Sequence, residues 1–390
     1  MKPAIVLATH TMGLGVIRAL GKKGVPIVAV TYDKKDFGYC SRYVTCKICA
    51  PHPDKNEDQF ISLLVKLAER FESSFLIPVS DETLVAVSRN KSLLERYYIV
   101  ACAQWDIIER LIDKKHTYEL AEAAGVPLPK IMFPESFEDV EQYSRYIEFP
   151  CLVKPRQSHL YFNHFGIKMV KVDSPVKLRA ACREAIEQGF KVMLQEFIQG
   201  DDSQVVNYNS YFWNSQPLVE FTAQQIRKAP PALGSPCVVL SKRLPEIIEN
   251  GRKLIRATGF YGFSCMEIKK DPRDGVYKLI EVNGRHNLSG MLAVHCGINF
   301  PWLHYQHLME GKLPSAADWK EGIYWIDLVR DAAYVFDNYR RSPSLRRIIL
   351  PYSCPHVFSE LSLHDPLPFA KRMVYLFRRF FRKFLMHKTK

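Results

Sequence analysis

The chain lacks any run of some eighteen consecutive apolar residues, so the sequence predicts no membrane-spanning helix. Internal repeats and low-complexity segments are absent too, which excludes repeat arrays and disordered linker proteins. The ten cysteines are scattered and mostly sit in apolar contexts, as reduced thiols do. Cys46-Lys47-Ile48-Cys49, with Cys40 nearby, is the one close pair, and it lacks the second pair or spaced histidines that a zinc site needs. The dinucleotide fingerprint is incomplete. Gly13-Leu14-Gly15 follows a strand, but Arg18 stands where the third glycine belongs, and Asp33 comes too early for the ribose acid. The body also lacks strong charge of either sign. The formal net charge is +13, yet from Tyr339 onward twelve Lys or Arg face only Glu360 and Asp365, which leaves about +3 for everything earlier. That distribution argues against nucleic acid as a partner.

What is present is a folded α/β chain. A length of 390 residues exceeds one typical core and predicts two or three domains, and 47% hydrophobic with 24% charged residues is ordinary globular composition. The apolar stretch in residues 1–10 is too short for a secretory signal and leads directly into a βα pattern, so a cytoplasmic protein is expected. Strands at 4–8, 26–31 and 75–79 alternate with helices at 13–21 and 60–71, the spacing of a parallel sheet with flanking helices. Ser80-Asp81-Glu82-Thr83 follows the third of these strands, where such sheets present ligand groups.

The densest chemistry lies between Glu267 and Asn283. Residues 264–268 and 277–282 read as strands joined by Asp271-Pro272-Arg273-Asp274-Gly275, whose Asp-Gly tip is a hairpin signal. In such a hairpin Glu267 and Glu281 lie roughly opposite and share a face, and Asn283, two residues on, stays on it. Adjacent carboxylates repel unless a cation sits between them, and hard oxygen donors suit Mg²⁺ with substrate phosphates. The competing reading is a solvated acidic face on an ordinary hairpin. Upstream, Phe149-Pro150-Cys151-Leu152-Val153-Lys154-Pro155 reads as a short buried strand. Its lysine is costly to bury without an anion, so a nucleotide phosphate fits, and a lysine snorkelling from a strand end is the alternative. Val192-Met193-Leu194-Gln195-Glu196-Phe197-Ile198-Gln199-Gly200 is an apolar strand broken by glycine. Its backbone groups suit a flat base, with Glu196 accepting from an exocyclic amine.

In this order the three elements resemble the ATP-grasp superfamily. Asp113-Lys114-Lys115 and Ala124-Gly125-Val126-Pro127-Leu128-Pro129 extend the resemblance over roughly residues 1–315, and within the superfamily the chain is most similar to carboxylate–amine ligases, including the D-aspartate ligase-like branch. The resemblance implies an α/β fold of ATP-grasp architecture, with an N-terminal parallel-sheet domain over 1–110. A small lid domain and hinge would follow over 111–200, then a mixed-sheet metal and substrate part over 201–335, then a linker and basic helix over 336–390. It implies Lys114, Lys154 and Lys168 on the ATP phosphates, Glu196 with the Phe197 and Ile198 backbone at adenine, and Asp202 at the ribose. Glu267, Glu281 and Asn283 would hold Mg²⁺, with Mn²⁺ as a substitute. Arg285 and Lys154 would stabilise the transferring phosphoryl group. Arg227 and Lys228 would close over substrate or phosphates, and His286, Asn287 and Ser289 would line the pocket for a substrate carboxylate.

One departure stands out. Family members carry a glycine-rich loop over the phosphates after the lysine strand. Residues 156–168 hold one glycine among Tyr161, Phe162 and Phe165, which predicts either an aromatic strand-turn or a loop using Ser158, Lys168, His159 and His164 in place of backbone N–H groups. The implied activity is Mg·ATP-dependent joining of a small-molecule acid to an amine through an acyl phosphate. Kinase-like phosphoryl transfer and a non-catalytic ATP-binding membrane scaffold stay open beside it, as does a homo-oligomer.

The charge sits in the tail. Over residues 369–385, Phe369, Met373, Leu376, Phe377, Phe380 and Phe384 recur on one helical face, and Lys371, Arg372, Arg378, Arg379, Arg382 and Lys383 on the other. A cationic amphipathic helix with large aromatics suits an anionic membrane surface, which predicts a peripheral protein on the inner face of the membrane. Docking on the protein's own surface or an oligomer contact is the alternative.

Overall fold

Ala4–Leu7 (β1) is apolar and wholly buried, the composition of a strand covered on both faces. In this computed structural model, which describes residues 1–338 and 344–388 and only the backbone of 380 and 382–388, β1 starts the first of two units. After it come α1 (Thr11–Gly21), β2 (Ile27–Thr31), β3 (Val44–Cys49), α2 (Glu57–Phe71), β4 (Phe75–Pro78), α3 (Asp81–Arg89), the one-turn α4 (Lys91–Leu94) and β5 (Ile99–Val100). The strands form a parallel sheet in the order β3-β2-β1-β4-β5, as the alternating pattern predicts. Gly13, in the first turn of α1, has a steric cause: a Cβ there would lie 2.1 Å from the Ala8 carbonyl oxygen. Ser80 and Thr83 form a capping box that starts α3.

The second unit comprises Ala103–Pro236 and Lys242–Gly284. It opens with α5 (Trp105–Ile112) and α6 (Lys114–Ala123), then β6 (Ile131–Met132), α7 (Phe137–Tyr143), β7 (Cys151–Pro155), α8 (Ser158–Phe165), β8 (Val170–Val172), α9 (Pro175–Glu187) and β9 (Val192–Glu196). These strands make an antiparallel sheet in the order β6-β9-β7-β8 over its own core of Val140, Val153, Tyr161, Leu178 and Leu194.

Segment 156–168 is neither a strand-turn nor a phosphate loop, because residues 158–165 are the helix α8. Tyr161 and Phe165 are four residues apart and so share a helix face. Their rings lie 4.5 Å apart and both meet Phe190, at 5.3 and 5.5 Å, so packing the aromatics against the core of this four-stranded sheet is what makes the segment helical. Gly166 ends the helix in the left-handed conformation.

A larger antiparallel sheet follows, from β10 (Val205–Trp213) and β11 (Gln216–Ala229), then β12 (Ser235–Ser241), α10 (Ile248–Thr258), β13 (Gly262–Lys270) and β14 (Tyr277–Asn283). Within the second unit its order is β14-β13-β10-β11. One face of this sheet is pressed by α10 so closely that a Cβ on Gly251 would meet the Tyr208 ring at 2.4 Å. That face takes the apolar residues, Tyr208 and Met266 among them, and leaves the other to Asn207 and Glu267 by period-two alternation.

The chain then returns to the first unit through α11 (Gly290–Cys296), α12 (Phe300–Glu310), β15 (Tyr324–Ile326), α13 (Leu328–Asn338), α14 (Leu345–Ser353), β16 (His356–Phe358) and α15 (Leu367–Lys388). There β15 pairs antiparallel with β12 and parallel with β16.

Candidate active site

The hairpin β13–β14 places its carboxylates as the alternation requires. Glu267 and Glu281 are register partners, and Asn283 is opposite Cys265 one pleat along. All three are half-buried, while Met266, Ile268 and Val282 between them are buried. A bulge directly after Glu267 twists the pair at this point. The turn is held from inside by Asp271, fully buried, which accepts from Arg273 Nε at 2.9 Å and Lys278 Nζ at 2.7 Å. Those donors hold its carboxyl far below the usual range.

Two lysines come to the same region. Lys114, at the start of α6, brings Nζ to 3.8 Å from Glu281 Oε1, beside the Ser158 hydroxyl. Lys154 on β7 is 4% exposed, and its Nζ donates to Gln195 Oε1 at 2.8 Å. Burial, helped by neighbouring Lys114 and opposed by Glu281, pulls the Lys154 ammonium down to about 7. A buried ammonium resting on a neutral amide is a site for an anion. The donor set also fits a hard cation: two carboxylates and one amide oxygen, all oxygen. No group of three or more His, Cys, Asp or Glu forms among the described residues.

At the hinge, the Glu196 carboxylate accepts from the Lys130 N–H at 3.0 Å and pairs with Arg273 from the hairpin turn. Its oxygens therefore fix the hinge to the hairpin. Lys171 Nζ lies 3.7 Å from the centre of the Phe197 ring and Lys269 Nζ 5.4 Å. Lys269 also donates to Ile198 O at 2.8 Å, and burial brings it down to about 8. Asp202 accepts from the Lys228 and Ala232 N–H groups at 2.8 and 2.9 Å, so it ties down the end of β11. Arg227 and Lys228 are both buried there. Lys168 is exposed and donates to Ser235 Oγ at 3.2 Å, apart from the lysine pair.

The first unit holds the remaining candidates. Arg285 makes a two-pronged ion pair with Asp81, Nε to Oδ1 at 2.6 Å and Nη2 to Oδ2 at 2.8 Å. His286 is buried and held down to about 3 by burial and by Arg285. Asn287 Nδ2 donates to Ser289 Oγ at 3.4 Å in the turn that leads into α11. His10, at the start of α1, is likewise buried and lowered to about 4, with Glu82 opposing the shift.

No family model matches the chain. A D-aspartate ligase from Enterococcus faecium is 27% identical over 262 residues, covering 62% of this chain and 61% of that protein. D-alanine--D-alanine ligase B from Pseudomonas putida is 25% identical over 213 residues, 49% of this chain and 62% of that protein. The chain thus spans about three-fifths of the length of these curated relatives. Among solved structures, N5-carboxyaminoimidazole synthetase from Staphylococcus aureus superposes with a TM-score of 0.65 over 88% of both chains at 14% identity. An L-amino acid ligase from Bacillus licheniformis gives 0.60 over 80% of this chain and 74% of that one, at 17% identity. These likenesses together support the ATP-grasp carboxylate–amine ligase superfamily.

The ATP-grasp reading of the sequence named Lys114, Lys154, Glu267 and Glu281, and the fold brings these four into one unit. It gave no role to Lys269 or to Gln195, although Lys269 lies two residues after Glu267 on one strand and period two alone places it on the same face. Arg273 and Asn207 were also passed over. Asn207 is the register partner of Glu267 on β10, a neighbour across strands some sixty residues apart, which no local pattern in the sequence reveals.

Proposed function

We propose that the chain is an Mg·ATP-dependent ligase that joins a small-molecule carboxylate to an amine, releasing ADP and phosphate. The observation that carries this is the register pair Glu267–Glu281 with Lys114 at 3.8 Å and the under-paired Lys154 in the same unit. Glu267, Glu281 and Asn283 would hold Mg²⁺, which when bound offsets charge on the phosphates. Lys114 and Lys154 bind phosphate oxygens, and the Phe197–Ile198 backbone orients the base. The substrate carboxylate oxygen attacks the γ-phosphorus, the bond to the β-bridging oxygen breaks, and ADP leaves with that electron pair. The amine nitrogen then attacks the acyl carbon, phosphate departs with the C–O electrons, and the nitrogen gives up a proton. Positioning and fixed positive charge supply the catalysis, as in other phosphoryl transfers.

The similarity to D-aspartate and D-alanine--D-alanine ligases supports an amino-acid-type substrate. The test is ADP release by the full chain with Mg·ATP against a panel of D-aspartate, D-alanine and other small acids, each with and without an amine. Release that requires both partners supports ligation. Release with an acid alone and a stable phosphorylated product would replace it with a kinase.

For the tail we infer attraction to anionic lipid. No helix among the described residues is long and apolar enough to cross a membrane. Val374, Phe377 and Phe381 of α15 are exposed, as are Arg378 and Arg379. Phe380, Phe384, Leu385, Arg382 and Lys383 lie outside the described side chains. The root of the helix is fastened to its own unit, where Lys371 pairs with Tyr39 and Arg372 with Glu360.

A further inference from the structure

On the face of the sheet that carries Glu267, one polar atom is left over. Gln225, on β11, is 0% exposed, and its Nε2 donates to Asn207 Oδ1 at 2.8 Å. Its Oε1 is buried and has no hydrogen-bond partner among the described residues. Asn207 is 2% exposed and is the register partner of Glu267, itself the partner of Glu281. The Asn207 Nδ2 is turned to Cys265 Sγ at 3.6 Å. A row of neutral amides therefore runs from the paired carboxylates across β10 to β11 and ends in an unanswered acceptor. Leaving such an atom unpaired costs about 1–3 kcal/mol, so its retention points to a donor that arrives with a ligand.

The identity of that donor is restricted by chemistry. Phosphates and ionised carboxylates only accept hydrogen bonds, so neither answers Oε1. Lys114, Lys154, Arg156, Arg227, Lys228 and Lys269, the buried cations of this unit, donate and cannot accept, so none of them can hold an N–H of an incoming amine. An amine that is to attack an acyl phosphate needs its lone pair free and an N–H held by an acceptor. A carboxylate in that role would favour the unreactive ammonium form, whereas an amide oxygen holds the N–H without adding charge. We propose, resting on the ligase reading above, that Gln225 is the residue that seats the acceptor amine, taking one of its N–H groups on Oε1, with Asn207 fixing the orientation of the Gln225 amide.

The test uses the full chain with Mg·ATP, the acid panel above and hydroxylamine as the amine, so that each acyl phosphate captured is read as a hydroxamate. Gln225→Met should raise the KM for hydroxylamine by roughly 5- to 20-fold, as for the loss of one hydrogen bond, while the KM for ATP does not follow. Gln225→Glu keeps an acceptor but loses the N–H that meets Asn207 Oδ1, so with hydroxylamine, which is uncharged at neutral pH, its KM should rise less than that of Gln225→Met. With a panel amine of high pKa, the same variant should need a higher pH to reach half-maximal rate. Melting temperatures of both variants check folding. A rise in the KM for ATP in Gln225→Met would hand the oxygen to the nucleotide and overturn the proposal, and unchanged constants in both variants would overturn it too. If the wild-type chain forms no hydroxamate with any acid, the ligase reading falls and the amine seat with it. Hydroxamate from the wild type with flat variants sinks the amine seat alone.

Discussion

Two clusters of buried charge in this molecule are built on opposite terms. In the first unit, Arg18 is 4% exposed and fully answered: Nε meets Asp365 Oδ2 at 2.9 Å, and Nη2 meets Glu360 O and Asp365 O at 2.8 and 2.9 Å. Asp365 in turn accepts from Ser41 Oγ at 2.7 Å and the Arg42 N–H at 2.9 Å. Glu360 takes the Thr11 hydroxyl at 2.7 Å and pairs with Arg372, which also reaches Asp327. In the second unit, Lys154 rests on a neutral glutamine and Lys269 on a backbone carbonyl, and both are pulled down in pKa. The first cluster is complete in itself and acts as a structural clasp. The second leaves both ammonium groups on neutral acceptors, and the proposed phosphates would complete it. The lesson is that buried charge marks a ligand site when its counter-charge is missing, and not merely because it is buried.

The largest effect should come from the incomplete cluster. Glu281→Gln removes one of two opposed carboxylates while keeping shape and a hydrogen-bonding oxygen. Steady-state ADP release is expected to fall by at least about 10²-fold, with the melting temperature little changed. Near-normal release would take Glu281 out of the mechanism. The complete cluster should respond in the reverse sense. Asp365→Ala leaves the Arg18 guanidinium without its counter-charge, and breaking a buried pair this way costs about 3–5 kcal/mol. Chemical denaturation should show that loss, and the KM for ATP of the folded fraction should not move. If Asp365→Ala instead lost turnover without losing stability, the division between clasp and site would be wrong.

The hairpin was legible because its signals are local. An Asp-Gly turn and period-two alternation place Glu267, Glu281 and Asn283 without any distant information. The parallel sheet of the first unit was legible for the same reason. What the sequence hid depends on contacts far apart in the chain. Asp81 and Arg285 are 204 residues apart, and nothing around Arg285 foretells that its guanidinium is already engaged. Arg273 reaches Glu196 across 77 residues and takes up the carboxylate that the motif reading had reserved for adenine. Asn207 and Gln225 join the site through strand pairing, whose register no single strand encodes. Segment 156–168 misled for a different reason. Its aromatics carry a helix-face spacing, but a two-turn helix needs the packed core around it to form at all.

The comparison sharpens in its pH dependence. A free lysine titrates near 10.4, while Lys154 in the fold titrates at about 7. Between those values the unfolded chain binds a proton that the folded chain does not, so this residue makes stability rise with pH from about 7 to about 10. Below about 7 its full penalty is present. Phosphate beside the amine restores the charge, so ATP binding at pH 8 should take up close to one proton from solvent onto Lys154, with a smaller share onto Lys269. Calorimetry in two buffers of different ionisation enthalpy measures that uptake. Lys154→Met should remove most of it and flatten the rise in stability. Binding without proton uptake would mean that the lysine is already charged and paired, like the clasp.

The smallest effect on the folded body should come from the end of α15. Deleting the whole helix would confound two things, since Lys371 and Arg372 belong to the clasp that holds Tyr39, Asp327 and Glu360. Replacing Phe377 and Phe381 with serine leaves that clasp alone, because both side chains are more than half exposed. Exposed positions of this kind change stability by no more than about 0.5 kcal/mol, so melting temperature and ADP release should stay where they are. Sedimentation with vesicles containing about one-third phosphatidylserine should still lose most of the protein from the pellet, because the aromatics supply the apolar part of the attraction and the arginines alone are screened by salt. Unchanged pelleting would sink the lipid reading. A drop in melting temperature would show instead that these rings cover the protein's own surface, extending the clasp along the helix.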